Sequence, residues 1–291
     1  MSEKNFDDHK QEAKSFYDMA IEEHKKHNTD VALDYMEKSI ELNKKIDSKS
    51  GLAWSIYYKG IIYHERNLGL EKAIEFFQEA LDLFREIDEK DGIGKILYNF
   101  AWTYRDKGEY DKAMNFAKEH LELRLLLGEK PQIGWGHLII AWIYTSMKKF
   151  DFAKSEFLKS IEIFQEAKEE KGIAFAKRFY AMSLKESNNI EEALENFQFS
   201  SKYFENEQNL WQQAICLAEI GEIFEKKEDI KKADSYYNKA LSLVLEINNV
   251  GAASNILNQL ISIYKSNNPK KADYYQKQLS ELEKTKEKKS S

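Results

Sequence analysis

Proline is nearly missing from this chain: 291 residues contain two, Pro131 and Pro269. Folds built from β-strands need breakers at every turn, so this scarcity, with only twelve glycines, points to long helices. Cysteine is scarcer still. The single Cys216, within Ala214-Ile215-Cys216-Leu217, has no partner for an internal disulfide and reads as a small core residue in a reducing compartment. No window holds eighteen consecutive apolar residues, which excludes a membrane-spanning helix. Met1 to Lys10 is polar without an apolar run, unlike a secretion signal or transit peptide. A cytoplasmic location is the resulting expectation.

An excess of one charge is lacking too. Forty-four basic residues against fifty acidic ones leave a net charge of -6, with no basic stripe to hold nucleic acid or an anionic membrane. Catalytic signatures are missing: no Gly-rich loop after a strand, no His-Glu-x-x-His and no Gly-x-Ser-x-Gly elbow. Of the six histidines only His24 and His27 lie at close helical spacing, with no cysteine nearby, and they read as surface residues. No enzyme activity, metal or cofactor is expected. What the chain does have is 42% hydrophobic and 13% aromatic residues, enough to bury a large core.

Self-comparison shows how that core is organised. Ala73, Ala113, Ala153, Ala193 and Ala233 stand 40 residues apart, and Ala32 and Ala272 extend the series with one-residue slips. Each belongs to an amphipathic run such as LEKAIEFFQEALDLF from Leu70 or FDFAKSEFLKSIEIF from Phe150. About nine residues before the alanines come Tyr63, Tyr104, Tyr144, Leu184, Phe224 and Tyr264; three residues before those come Gly60, Ala101, Ala141, Ala181 and Gly221. Lys107-Gly108-Glu109, Asn188-Asn189, Asn28-Thr29-Asp30 and Asn267-Asn268-Pro269 read as turns inside the repeats, and Gly51, Gly92, Gly172 and Gly251 as punctuation between them.

This alternation of small and aromatic residues resembles the tetratricopeptide repeat, in which small residues let two helices approach and rings fill the space between them. The 40-residue length is similar to the Pins-type and kinesin-light-chain-type adaptors and to the Rap-type peptide sensors, and Ala113 to Leu121 looks most like the Pins-type form. The resemblance implies an all-α, right-handed α-solenoid of about seven helix-turn-helix repeats. One domain over 8–285 is expected, with repeats at 8–47, 48–88, 89–128, 129–168, 169–208, 209–248 and 249–285, followed by a disordered charged tail over 286–291.

In that family ligands lie in a concave groove lined by the first helix of each pair. Positions six and three before the small residue, and one and four after it, share one helical face. They select Trp54, Tyr57, Ile61 and His64 in repeat two, and Lys95, Tyr98, Trp102 and Arg105 in repeat three, with Asn99 at the edge. In repeat four they select Trp135, Leu138, Trp142 and Thr145, and in repeat five Phe175, Arg178, Met182 and Lys185.

Aromatic stripes at this spacing are usually core, but Tyr104, Tyr144 and Phe224 already fill the family's core position, which makes the tryptophans surplus. Exposed, they would form an apolar interaction patch. The binding residues expected are Trp54, Tyr57, Lys95, Tyr98, Asn99, Trp102, Arg105, Trp135, Leu138, Trp142, Arg178 and Lys185. The cations would pair with ligand carboxylates and Asn99 would hold ligand backbone, so the partner is expected to be a protein or peptide with an acidic-apolar segment. Repeats six and seven offer a more acidic and polar lining, Glu219, Glu222, Glu225, Asn255, Asn258 and Lys265.

The expected function is therefore an interaction scaffold. The alternative is a peptide-responsive sensor resembling the Rap/PlcR-type proteins without an N-terminal output domain. A homo-oligomer is permitted by the Tyr274-Tyr275 pair but not indicated.

Overall fold

The computed structural model describes residues 3–266 and 268–290, with side chains placed over 6–266 and 268–284. Among the described residues there are fourteen helices and no strand. They fall into two compact units, Met1–Ala167 and Lys168–Ser291. The first contains α1 (Glu3–Lys25), α2 (Thr29–Lys45), α3 (Lys49–Glu65), α4 (Leu70–Glu86), α5 (Lys90–Asp106), α6 (Tyr110–Leu127), α7 (Lys130–Ser146) and α8 (Phe150–Glu166). The second contains α9 (Glu170–Glu186), α10 (Ile190–Asn206), α11 (Leu210–Lys226), α12 (Ile230–Glu246), α13 (Val250–Tyr264) and α14 (Pro269–Ser290). Consecutive helices pair into hairpins, giving a tetratricopeptide-like solenoid of seven repeats. The tail expected over 286–291 lies outside the residues whose side chains are described.

The turns carry the period more strictly than the helices do. A residue with positive φ recurs at 27, 47, 67, 88, 108, 128, 148, 168, 188, 208, 228 and 248, and only Gly108 and Gly128 among them are glycine. The next residue reaches back to the helix just ended, as in Glu89 N–H to Phe84 C=O at 2.9 Å and Asn249 N–H to Val244 C=O at 2.8 Å. That left-handed closure satisfies the orphan carbonyls of the ended helix. The same residue starts the next helix, and Asn209, Asp229 and Asn249 do so with side-chain caps on Gln212, Lys232 and Ala252.

Gly51, Gly92, Gly172 and Gly251, expected as punctuation, lie inside the first turns of α3, α5, α9 and α13. Gly92 works by close approach: a Cβ there would stand 2.6 Å from the Phe84 ring of the preceding hairpin. The turn formed by Asn28 precedes α2, whereas Thr29 and Asp30 already belong to that helix; Asn267 lies outside the described residues.

The deepest rings are Phe77, Phe84, Phe157, Phe164, Phe197, Phe204 and Tyr237 on the second helices and Phe100 on α5, all at most 2% exposed. Tyr104, Tyr144 and Phe224 are only half-buried. They stack across their hairpins, Tyr104 on Phe116 with centroids 5.4 Å apart and Phe224 on Tyr236 at 5.5 Å.

Eleven residues after the marker alanine, Phe84, Phe164, Phe204 and Val244 fill the junction between hairpins, but Asn43 and Arg124 take that place in the first and third repeats. Arg124 is fully buried and bonds Asp91 and Glu129 at 3.3 and 2.5 Å. His120, one turn earlier, stands where other repeats have Ala80, Ser160, Ser200 or Ala240.

Candidate functional site

In the first unit the first helices touch in succession, α1 with α3, α3 with α5 and α5 with α7. Their shared face carries the residues that the one-face spacing selects. The Trp54 ring meets Tyr57 edge to face at 5.7 Å and has the Lys95 ammonium 4.7 Å from its centroid. Asn99 donates its amide to the Tyr57 hydroxyl at 2.8 Å and to the Lys95 carbonyl at 2.9 Å, and no described donor reaches its oxygen. One helix further, the Arg105 guanidinium lies between two indoles, 5.1 Å from Trp102 and 5.2 Å from Trp142. Flat cations stack on aromatic faces in this way, and the sandwich holds both rings in place.

Tyr57, Lys95, Tyr98, Asn99 and Trp135 line a single pocket of about 300 Å³ together with Ile61, His120 and Gln132. The His120 ring nitrogens face the Gly94 and Gln132 carbonyls at 2.8 and 3.3 Å. Burial lowers its pKa, with the Arg124 charge acting the same way, and the two carbonyls oppose that shift. Burial also raises the Tyr98 hydroxyl, partly offset by a hydrogen bond from Trp102. The spacing rule missed His120 because it considered only first helices, and Gln132 because it reached only six residues before the small residue. The available signal was His120 itself, a large polar residue in a register of alanine and serine.

The remaining expected residues divide by exposure. Leu138 is fully buried and Trp142 is 7% exposed, so Leu138 has no surface to offer a ligand and Trp142 offers an edge. Trp54, Trp102 and Trp135 are half-buried rather than forming an exposed apolar patch. Their neighbours already cover them: Trp54 packs on Phe84 and Trp135 on Phe164, with centroids 4.9 and 5.2 Å apart. The fifth tryptophan, Trp211, is the most exposed of the set at 37%.

Most of the cations are engaged internally. Lys95 holds Asp91 at 2.8 Å, and Arg105 holds Asp106 and reaches Ser146 at 3.4 Å. Burial alone would raise the Asp106 carboxyl, but His64 at 2.8 Å and Arg105 outweigh it and hold the group below its usual range.

In the second unit Lys185 binds Glu219, and also Glu222 at 2.7 Å, so these carboxylates are one ion cluster rather than an acidic lining. Glu225 accepts from the Tyr237 hydroxyl at 2.6 Å. Arg178 differs. It is 7% exposed, lies over the Phe179 ring at 4.2 Å and has no carboxylate partner among the described residues. Its Nε is enclosed without an acceptor, and Nη1 reaches only the Met182 sulfur at 3.9 Å. Cys216, buried beside it, is pushed up to about 12 by burial, against the pull of the Arg178 charge.

Paired helices at a 40-residue period, with small residues at each crossing, define a helical-hairpin repeat protein. Models of the tetratricopeptide repeat match residues 51–125 and 214–243. No curated protein matches the chain. Among solved structures, a Rap protein complexed with Competence and Sporulation Factor superposes with a TM-score of 0.71 at 15% identity, over 94% of this chain and 75% of that one. The Rap conjugation gene regulator of the plasmid pLS20, in complex with the Phr* peptide, gives 0.65 at 20% identity, over 84% of this chain and 65% of that one. A kinesin light chain from Podospora anserina with nearly identical TPR-like repeats gives 0.53 at 12% identity, over 69% and 98%. At these identities the likeness establishes the fold.

Proposed function

We propose that the protein is an interaction scaffold that binds a peptide or helical segment of a partner along the face shared by α3, α5 and α7. The observation that carries this reading is the pocket of about 300 Å³ in which five of the residues chosen by spacing meet. Its walls are rings and its polar groups are few and convergent, the composition of a site that seats one large apolar side chain. Asn99 presents an unengaged amide oxygen beside it, suited to accept a ligand backbone N–H. Trp102, stacked on Arg105, is a rigid half-exposed ring next along the face.

The acidic part of the ligand has fewer places to go than the residue types suggest. On this face Lys95 and Arg105 already hold Asp91 and Asp106, so a ligand carboxylate there competes with an internal one. The two Rap neighbours carry a bound factor or peptide, which supports the peptide reading and also favours the sensor alternative, in which binding alters an output surface. The protein is proposed to act in the cytoplasm; among the described residues no helix is long and apolar enough to cross a membrane.

The test is a selection of twelve-residue peptides from a display library, followed by calorimetric titration of the selected peptides. Binding that falls at least about tenfold in Trp102→Leu and Asn99→Ala, with the helical circular dichroism unchanged, is expected. Equal binding by parent and both variants overturns the reading.

A further inference from the structure

A second cavity, of about 530 Å³, opens among α1, α2 and α3, and none of the residues expected to bind lines it except Trp54. Comparison between repeats explains why it exists. Asn43 occupies the junction position that Phe84, Phe164 and Phe204 fill in other repeats. The glycine that lets Phe84 seat is preserved as Gly51, over which the smaller Asn43 amide now lies. The ring is gone and its room remains.

The floor left behind is polar and ordered. Ser39 Oγ contacts Ser55 Oγ at 2.9 Å and donates to the Ala13 carbonyl at the same distance. The Asn43 amide nitrogen donates to the Ser39 carbonyl at 2.9 Å and approaches both hydroxyls at 3.4 Å. Asn43 is 5% exposed and lines the cavity, yet among the described residues no donor reaches its Oδ1. That oxygen keeps accessible surface at the cavity, so a donor entering there can reach it. Tyr17 and Trp54 contribute aromatic walls and Ala13 an apolar one. Lys10, which has no ion pair among the described residues, and Lys14, which holds Asp18 at 2.7 Å, stand at the rim.

We propose that this cavity is a binding site for an aromatic group that carries a hydrogen-bond donor and an adjacent carboxylate, the chemistry of a tyrosine-like acid. The ring takes the volume vacated at position 43, its donor satisfies Asn43 Oδ1, and the carboxylate faces Lys10. A free aromatic acid and the C-terminal residue of a peptide share this chemistry. The site shares only Trp54 with the residues expected on the face of α3, α5 and α7.

The experiment is calorimetric titration with N-acetyltyrosine, N-acetylphenylalanine, which lacks the donor, N-acetyltyrosine amide, which lacks the carboxylate, and the peptide Gly-Gly-Gly-Tyr. Tightest binding by the compounds that keep both groups, with a loss of about tenfold for each group removed, is expected. Gly-Gly-Gly-Tyr binding more tightly than N-acetyltyrosine assigns the site to a peptide end, and the reverse assigns it to a free acid.

Asn43→Phe rebuilds the junction seen in repeat two; it is expected to fold, unfold at the same or a higher temperature, and lose binding. Should that variant not fold, Lys10→Gln is expected to abolish the preference for the carboxylate over the amide. No binding of N-acetyltyrosine by the parent, unchanged binding by folded Asn43→Phe, or an unchanged preference in Lys10→Gln overturns the proposal.

Discussion

The side-chain amide of Asn99 donates to the hydroxyl of Tyr57 at 2.8 Å, joining α5 to α3 at the wall of the ring-lined pocket. Tyr57 is 7% exposed, so little water competes for this bond. Tyr57→Phe keeps the ring and removes the acceptor. A loss of about 1 kcal/mol in urea unfolding is expected, together with weaker binding of selected peptides as Asn99 loses its fixed orientation. A variant with unchanged stability and unchanged binding shows that the bond does not set the pocket.

Arg178 is a buried cation with no carboxylate in ion-pair contact among the described residues, only the more distant charge of Glu219, a state that costs stability. Arg178→Met keeps the stem that packs on Phe179 and removes the charge. Thermal unfolding is expected to rise in this variant by the equivalent of about 1 kcal/mol. A lower unfolding temperature shows instead that the guanidinium is structural.

Alanine is usually preferred over glycine inside a helix by about 1 kcal/mol. At Gly92 the sign reverses, because the new methyl would lie 2.6 Å from the Phe84 ring, which is itself fully enclosed. Gly92→Ala is expected to cost about 1–3 kcal/mol in chemical unfolding. A stabilised variant would mean that the hairpins separate at this crossing without penalty.

His24 is not the surface residue its spacing suggests. It is 4% exposed, contacts the Tyr58 hydroxyl at 3.2 Å, and its pKa is lowered to about 4 by burial first and by the Arg66 and His27 charges second. The unfolded chain takes up this proton near pH 6.5 and the folded one only near 4, so stability is full above about 6.5 and falls as pH drops between those values. The loss is on the order of 3 kcal/mol, and His24→Leu is expected to flatten that limb. An NMR titration placing the His24 pKa near its ordinary value contradicts this.

The helices and their 40-residue spacing were legible because one alanine per repeat marks where a second helix enters the core. The turns at Lys107-Gly108-Glu109 and Asn188-Asn189 were legible, but most others were not, since the left-handed seat is held by Asp47, Asp88, Lys148 or Glu228 as readily as by glycine. Side-chain chemistry can tolerate that backbone, so glycine counting looked in the wrong places. His24 was misread because its burial comes from Tyr58 on a helix 34 residues away. Separations of 34 and 37 residues hid the pairing of Lys185 with Glu219 and Glu222, which made one ion cluster look like a basic and an acidic region. The single-face rule found the rings on α3, α5 and α7, but it was blind to His120, which enters the pocket from a second helix.

Hydrogen–deuterium exchange, with and without a peptide selected on the protein, tests most directly where a ligand lies. Slowed exchange concentrated on α3, α5 and α7, centred on residues 54 to 61, 95 to 105 and 132 to 142, is the expected result. Slowed exchange confined to α4, α6 and α8 places the ligand on the opposite helices and contradicts it.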